Sequence, residues 1–214
     1  MEEIKPLTNT GVQTLLEQMN KSLCLIEFED VKGTGFFCKI PYPDNKSSLP
    51  VLITANHLLN EKNLKDKNTI PVYLNNKKEI KNITLKDRIT YTDKKNDITI
   101  IEIKEDVDNI KDFLELDGNL FDSKKEDSYN NLSIYLLLYI KEQSNVSFGT
   151  INSINKDKGR IFHTCSSGSA GGPIISVLNS KVLGIHLGID NKKVFKIGAL
   201  LDKGITEFQK NKKK

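Results

Sequence analysis

Residues 163–176, HTCSSGSAGGPIIS, set a glycine-rich turn directly before a short apolar strand. Gly168, Gly171, Gly172 and Pro173 crowd around Ala170. Glycine lets backbone take positive φ and approach a substrate closely. In acyl-transfer sites such a turn aims amides at one point, where they hold the oxyanion of a tetrahedral intermediate. Here those donors are the amides of Gly168 and Ala170. A turn of this composition equally suits a plain hairpin loop. At its centre, where a hydroxyl is wanted, stands a methyl group.

Two upstream stretches bear on that choice. In VLITANHLLN, residues 51–60, a strand-like run ends at Thr54 and His57 follows, backed by Leu58 and Leu59. A general base needs this placement, rigidly mounted and partly shielded from water. A surface histidine would read the same way taken alone. In KKNDITIIEIK, residues 94–104, Asp97 opens an apolar strand. A carboxylate entering a buried strand is costly unless it is paired. A histidine ring N–H would pair it, and the aspartate would fix the useful tautomer; an ordinary turn aspartate is the alternative.

The rest of the chain is mostly strand-like. LCLIEFE, GTGFFCKI, LPVLITAN, IPVYLN, EIKNITL, RITYT and DITIIEI are short and rich in β-branched and aromatic residues. Several alternate apolar with polar, as half-buried strands do. Residues 104–130 are polar and acidic, with one helical turn expected at their start. A second series follows: LSIYLLLYI, VSFGTINSI, RIFHTC, GPIISVLN, KVLGIHLGI and VFKIGAL. Two runs of about six strands predict two antiparallel sheets or barrels. Val12, Leu15, Leu16 and Met19 have helical spacing and predict a short amphipathic helix. It either packs on the barrels or binds a partner. The C-terminal LLDKGITEFQKNKKK predicts a weak helix and a lysine tail.

Composition narrows the function classes. The 214 residues carry 32 basic and 28 acidic side chains, net +4, and the lysine tail supplies four of the positive charges. No basic stripe is interleaved with aromatics, so a nucleic-acid binder is not expected. No apolar run approaches the ~20 residues of a membrane span. The polar start MEEIKPLTNT is unlike a secretory signal, and a cytoplasmic location is expected. Cys24, Cys38 and Cys165 are odd in number and widely spaced, which predicts reduced thiols and no zinc site. No cofactor or metal is expected, and no motif identifies a regulatory partner.

In the order His57, Asp97, position 170, the three motifs TANHLL, NDITIIEI and GSAGGP resemble those of the trypsin-like, chymotrypsin-fold serine peptidases. GTGFF and KVLGIHLG extend the likeness toward the high-temperature-requirement proteases and the glutamyl endopeptidases. It covers about residues 23–205 and implies an all-β fold of two antiparallel six-stranded barrels, with the site in the cleft between them. The implied layout is an N-terminal extension (1–22), a first barrel with His57 and Asp97 (23–112), a linker (113–130), a second barrel with the nucleophile turn (131–200), and a C-terminal helix and tail (201–214). The substrate implied is a protein or peptide. The family has serine where this chain has Ala170, and a methyl cannot attack a carbonyl. The chain is therefore expected to be inactive, either as an engineered Ser→Ala form or as a natural pseudoprotease that binds peptides.

The resemblance also implies a specificity pocket walled by Thr164 and Cys165 before the nucleophile and by the strand with His186, Leu187 and Gly188 after it. No aspartate stands on the first wall, so a preference for Arg or Lys is not expected. Glutamyl endopeptidases and picornaviral cysteine proteases pair a threonine with a histidine in a Gly-Ile-His run to hold Glu or Gln. His186 with Thr164 is expected to do the same, with Cys165 as the alternative wall residue. His163 is expected to have a structural or rim role.

Overall fold

The computed structural model describes residues 7–28, 31–44, 46–122, 124, 126–166, 168–189 and 195–211. The last three lysines of the predicted tail and the first six residues lie outside that set. Helix α1 (Asn9–Glu17) runs through a wide turn (Gln18–Ser22) into β1 (Leu23–Phe28), β2 (Val31–Pro41) and β3 (Ser48–Thr54). Then come α2 (Glu61–Asp66), β4 (Thr69–Leu74), β5 (Glu79–Thr84), β6 (Thr90–Asp93) and β7 (Ile98–Glu102). Helix α3 (Glu105–Asp108) and β8 (Leu114–Glu115) lead to β9 (Ser133–Ile140), β10 (Gln143–Asn155), β11 (Arg160–His163) and β12 (Pro173–Ser176). Strands β13 (Val182–Ile189) and β14 (Lys196–Leu200) precede α4 (Leu201–Asn211).

The fold is nearly all-β, in two antiparallel strand systems. Strands β10, β11, β14, β13, β12 and β9 close a barrel. The first system curls in the order β5-β4-β1-β2-β3-β7-β6, with β8 parallel to β2, and is not joined edge to edge among the described residues. Its β5 edge buries only Ile83 and carries Glu79 and Lys81, which suits an edge left facing water. In β2, residues 33–38 are buried without a break. Successive side chains point to opposite faces. Phe37 packs with Leu52 and Ile101 inside the first sheet, while Phe36 and Cys38 join the larger core with Ile53, Ile100 and Leu136.

The connection between the two systems is packed against both. Leu114 pairs with Cys38 of β2, and Leu116 bridges Val182 of β13. Helix α4 extends from the barrel over the first sheet. Leu201, Gly204, Ile205 and Phe208 are buried on one helical stripe, and Phe208 stacks on Tyr42 at 4.8 Å between centroids. In α1 only Leu15 of the predicted apolar face is buried, whereas Val12 and Leu16 are exposed. The helix docks instead through Gln18, which donates to the Ser180 carbonyl and accepts from the Tyr135 hydroxyl.

Candidate active site

Three residues past the end of β3, His57 sits on a turn closed by the Leu58 and Leu59 amides on the Ala55 carbonyl. Thr99 of β7 anchors that turn, donating to the Leu59 carbonyl at 2.6 Å and accepting from the Asn56 amide at 3.3 Å. Asp97 ends the β6–β7 hairpin in the left-handed region, φ 57°. Its carboxylate grips the histidine twice. Oδ1 accepts the His57 backbone N–H at 2.9 Å, and Oδ2 lies 2.8 Å from Nδ1. Burial alone would raise the Asp97 carboxyl, but the hydrogen bonds and charge of His57, helped by Arg160, hold it below the usual carboxylate range. An anionic Asp97 keeps the proton on Nδ1 and leaves Nε2 bare, as a base requires.

The turn at 168–172 is strapped to the other strand system. The Ala170 carbonyl accepts from the Thr34 amide of β2 at 2.8 Å, and the Thr34 carbonyl accepts from the Thr54 hydroxyl at 2.8 Å. A Cβ on Gly171, φ +91°, would lie 2.0 Å from the Thr34 carbonyl oxygen, and one on Gly172 would lie 2.2 Å from that of Leu137. These glycines are required because the turn is pressed between two strands. The Gly168 and Ala170 amides donate to no described residue, so both remain available to an external acceptor.

Ser169, next to Ala170, is committed elsewhere. Its hydroxyl donates to the Tyr139 carbonyl at 2.6 Å and accepts from the Thr34 hydroxyl at 2.6 Å. Thr34 in turn accepts from the Tyr139 amide at 2.9 Å. The three residues form a closed ring across the two strand systems. A threonine between the two glycines of GTGFF is the only sequence trace of it.

The predicted pocket residues are not all brought together. His186 is fully buried on β13, its amide donating to Gly172 and its carbonyl accepting from Gly171. Its ring meets His163, not Thr164, with Nδ1 3.2 Å from His163 Nε2. Among the described residues, His186 Nε2 and His163 Nδ1 are buried without a hydrogen-bond partner. Burial, with the Lys196 charge and that of His57, pushes His186 down to about 4; burial and the His186 charge push His163 down to about 3. Both rings are neutral near pH 7. Thr164 is exposed and its hydroxyl accepts from the Thr150 amide at 2.9 Å. Cys165 is a buried free thiol, pushed up to about 12 by burial. Leu187 and Gly188 are half-buried. The turn residues Gly171 and Gly172 extend the cover of β13 as far as His186; beyond it, at Gly188 and Ile189, β14 is the described strand paired with β13.

This fold matches a known family. The model of the trypsin-like peptidase domain matches residues 33–185, and the chain belongs to that family. No curated protein sequence matches it. Among solved structures, the serine endoprotease from Yersinia pestis superposes with a TM-score of 0.66 at 11% identity, covering 97% of this chain and 69% of that one. The Rv3671c protease of M. tuberculosis, in an inactive form, gives 0.63 at 16% identity over 99% and 98%. The serine protease domain of the Sesbania mosaic virus polyprotein gives 0.56 at 16% identity over 86% and 90%. At these identities the likeness establishes a chymotrypsin-type protease fold. No helix of the described residues is long and apolar enough to cross a membrane.

Proposed function

We propose that this chain is a serine endopeptidase scaffold whose nucleophile position is held by Ala170, and which as written binds peptides without cleaving them. The observation that carries this reading is the double grip of Asp97 on His57, at 2.9 and 2.8 Å. That geometry leaves Nε2 as acceptor for a hydroxyl proton. With serine at 170, His57 would take the Oγ proton as the oxygen attacks the scissile carbonyl. The free amides of Gly168 and Ala170 would hold the resulting oxyanion, and His57 would return the proton to the leaving amine. Loss of the nucleophile leaves only the roughly 10³–10⁴-fold advantage of binding and the oxyanion site. Ser169 is no substitute, since its proton is spent on Tyr139.

The proposed residue on the acyl side of the cut is Glu or Gln. Support comes from His186, whose buried Nε2 lacks a partner. An unsatisfied buried polar atom is costly, and a side-chain oxygen of Glu or Gln would satisfy it when His163 Nε2 donates to His186 Nδ1. His163 thus backs His186, while Thr164, expected to hold the substrate side chain together with His186, is bonded to Thr150. The uncovered side of β13 at Leu187 and Gly188 suits an added substrate strand.

The Ala170→Ser form is expected to be labelled by a fluorophosphonate probe and to cleave proteome peptides after Glu or Gln, while the Ala170 chain does neither. A folded, unlabelled Ala170→Ser protein would end the catalytic reading. Cleavage after Lys, Phe or Ala would end the pocket assignment alone.

A further inference from the structure

A cleft of about 620 Å³ opens beside the triad residues, lined by His57 and Asp97 and by three cations from three elements: Lys62 of α2, Lys94 of the β6–β7 hairpin and Arg160 of β11. Among the described residues, none of the three cations has a carboxylate within ion-pair distance. The two acidic groups that also face the cleft are already engaged. Glu61 is paired with Lys65 at 2.6 Å, and both Asp97 oxygens hold His57. Arg160 is fixed by Nη2, which donates to the Lys95 carbonyl at 3.0 Å, while its buried Nη1 has no hydrogen-bond partner among the described residues. Uncompensated charge of one sign in a walled cleft focuses the field on a ligand of the other sign.

We infer that this cleft is a substrate subsite for an acidic side chain, an Asp or Glu close in sequence to the scissile bond and separate from the residue facing His186. The inference rests on the peptide-binding reading above, but it requires no nucleophile. The opposite groove beside Gly168 and Ser169 is lined mostly by apolar residues, with Lys32 paired to both Glu27 and Glu142 and Lys141 as its further cation. Lys62 and Lys94 are exposed, so they act as steering charges, while half-buried Arg160 supplies directed N–H donors.

The test uses the Ala170 chain to capture peptides from a library with Gln held at one central position and all flanking positions varied, in 50 mM and 500 mM NaCl. Three partly solvated charges predict about tenfold enrichment of Asp and Glu over Asn and Gln at one flanking position in low salt. That enrichment should fall to about twofold in high salt and vanish in Lys62→Gln/Lys94→Gln, whose exposed positions tolerate the change. Arg160→Gln should weaken it as well. Captured peptides without acidic enrichment, retention of none included, would overturn the inference, as would enrichment that persists in the double variant. Fluorophosphonate labelling of Ala170→Ser is scored separately, so failure of the subsite and failure of the catalytic reading are told apart.

Discussion

Ala170 and Ser169 stand side by side and differ in what the fold asks of them. Ser169 closes a hydrogen-bond ring with Thr34 and Tyr139, which pins the turn from beneath. Ala170 contributes its carbonyl to Thr34, and its amide donates to no described residue. The turn therefore keeps its shape without a hydroxyl at 170. Gly171 is the residue it cannot spare, because positive φ and the Thr34 carbonyl both exclude a Cβ. Gly171→Ala is expected to lower stability by about 3 kcal/mol in urea unfolding. In the Ala170→Ser background it should also abolish probe labelling, since the turn must shift away from Thr34. Unchanged stability and labelling would show that the turn is not strapped in this way. Sequence reading reached the glycines but attributed them to substrate approach. The carbonyl that Gly171 must avoid belongs to a strand more than a hundred residues earlier, which no local pattern encodes.

Among the elements, the short helix α3 does more than its four residues suggest. Asp108 is fixed by both Nη atoms of Arg88 at 2.6 Å and by the Lys104 amide at 2.8 Å. Both side chains of the pair are 2% exposed. Arg88 also donates to the carbonyls of Thr84 and Glu102, so the pair ties the end of β5 to the end of β7, the strand that Asp97 opens. Removing one partner of a buried pair strands the other charge. Asp108→Ala is expected to cost about 3–5 kcal/mol, and the Arg88→Met/Asp108→Leu double change to recover most of it. Equal unfolding midpoints for Asp108→Ala and the parent would refute this. Several strands were legible from alternation and from their β-branched and aromatic residues, and α4 was legible as a weak helix. The ion pair was not, since RITYT reads as a strand and EDVDNI as the polar start of a linker, with nothing local to join them. The apolar face read in α1 was only half right, because the wide turn at 18–22 brings Gln18, not Leu16, against the barrel.

For the whole molecule, the buried His163–His186 pair sets a pH limit. The unfolded rings titrate near 6.5, while burial lowers the folded rings to about 3 and about 4. Below pH 6.5 the unfolded chain takes up protons that the folded chain refuses, so stability is full above that pH and declines as pH falls toward 4. The expected loss by pH 5 is about 2 kcal/mol per ring, read from urea titrations across pH 5–7.5. His163→Phe should flatten the decline, and an equally steep decline in that variant would assign it to other groups. The sequence alone determined the strand alternation, the chain order of His57, Asp97 and position 170, and the missing hydroxyl, because each is written within a few consecutive residues. Only the tertiary structure decided that Asp97 grips His57 twice across 40 residues, that Ser169 is bound to Thr34 across 135, and that His186 is backed by His163 and not by Thr164. Those outcomes depend on how two strand systems lie against each other, and alternation specifies which face a side chain takes but not which distant side chain it meets.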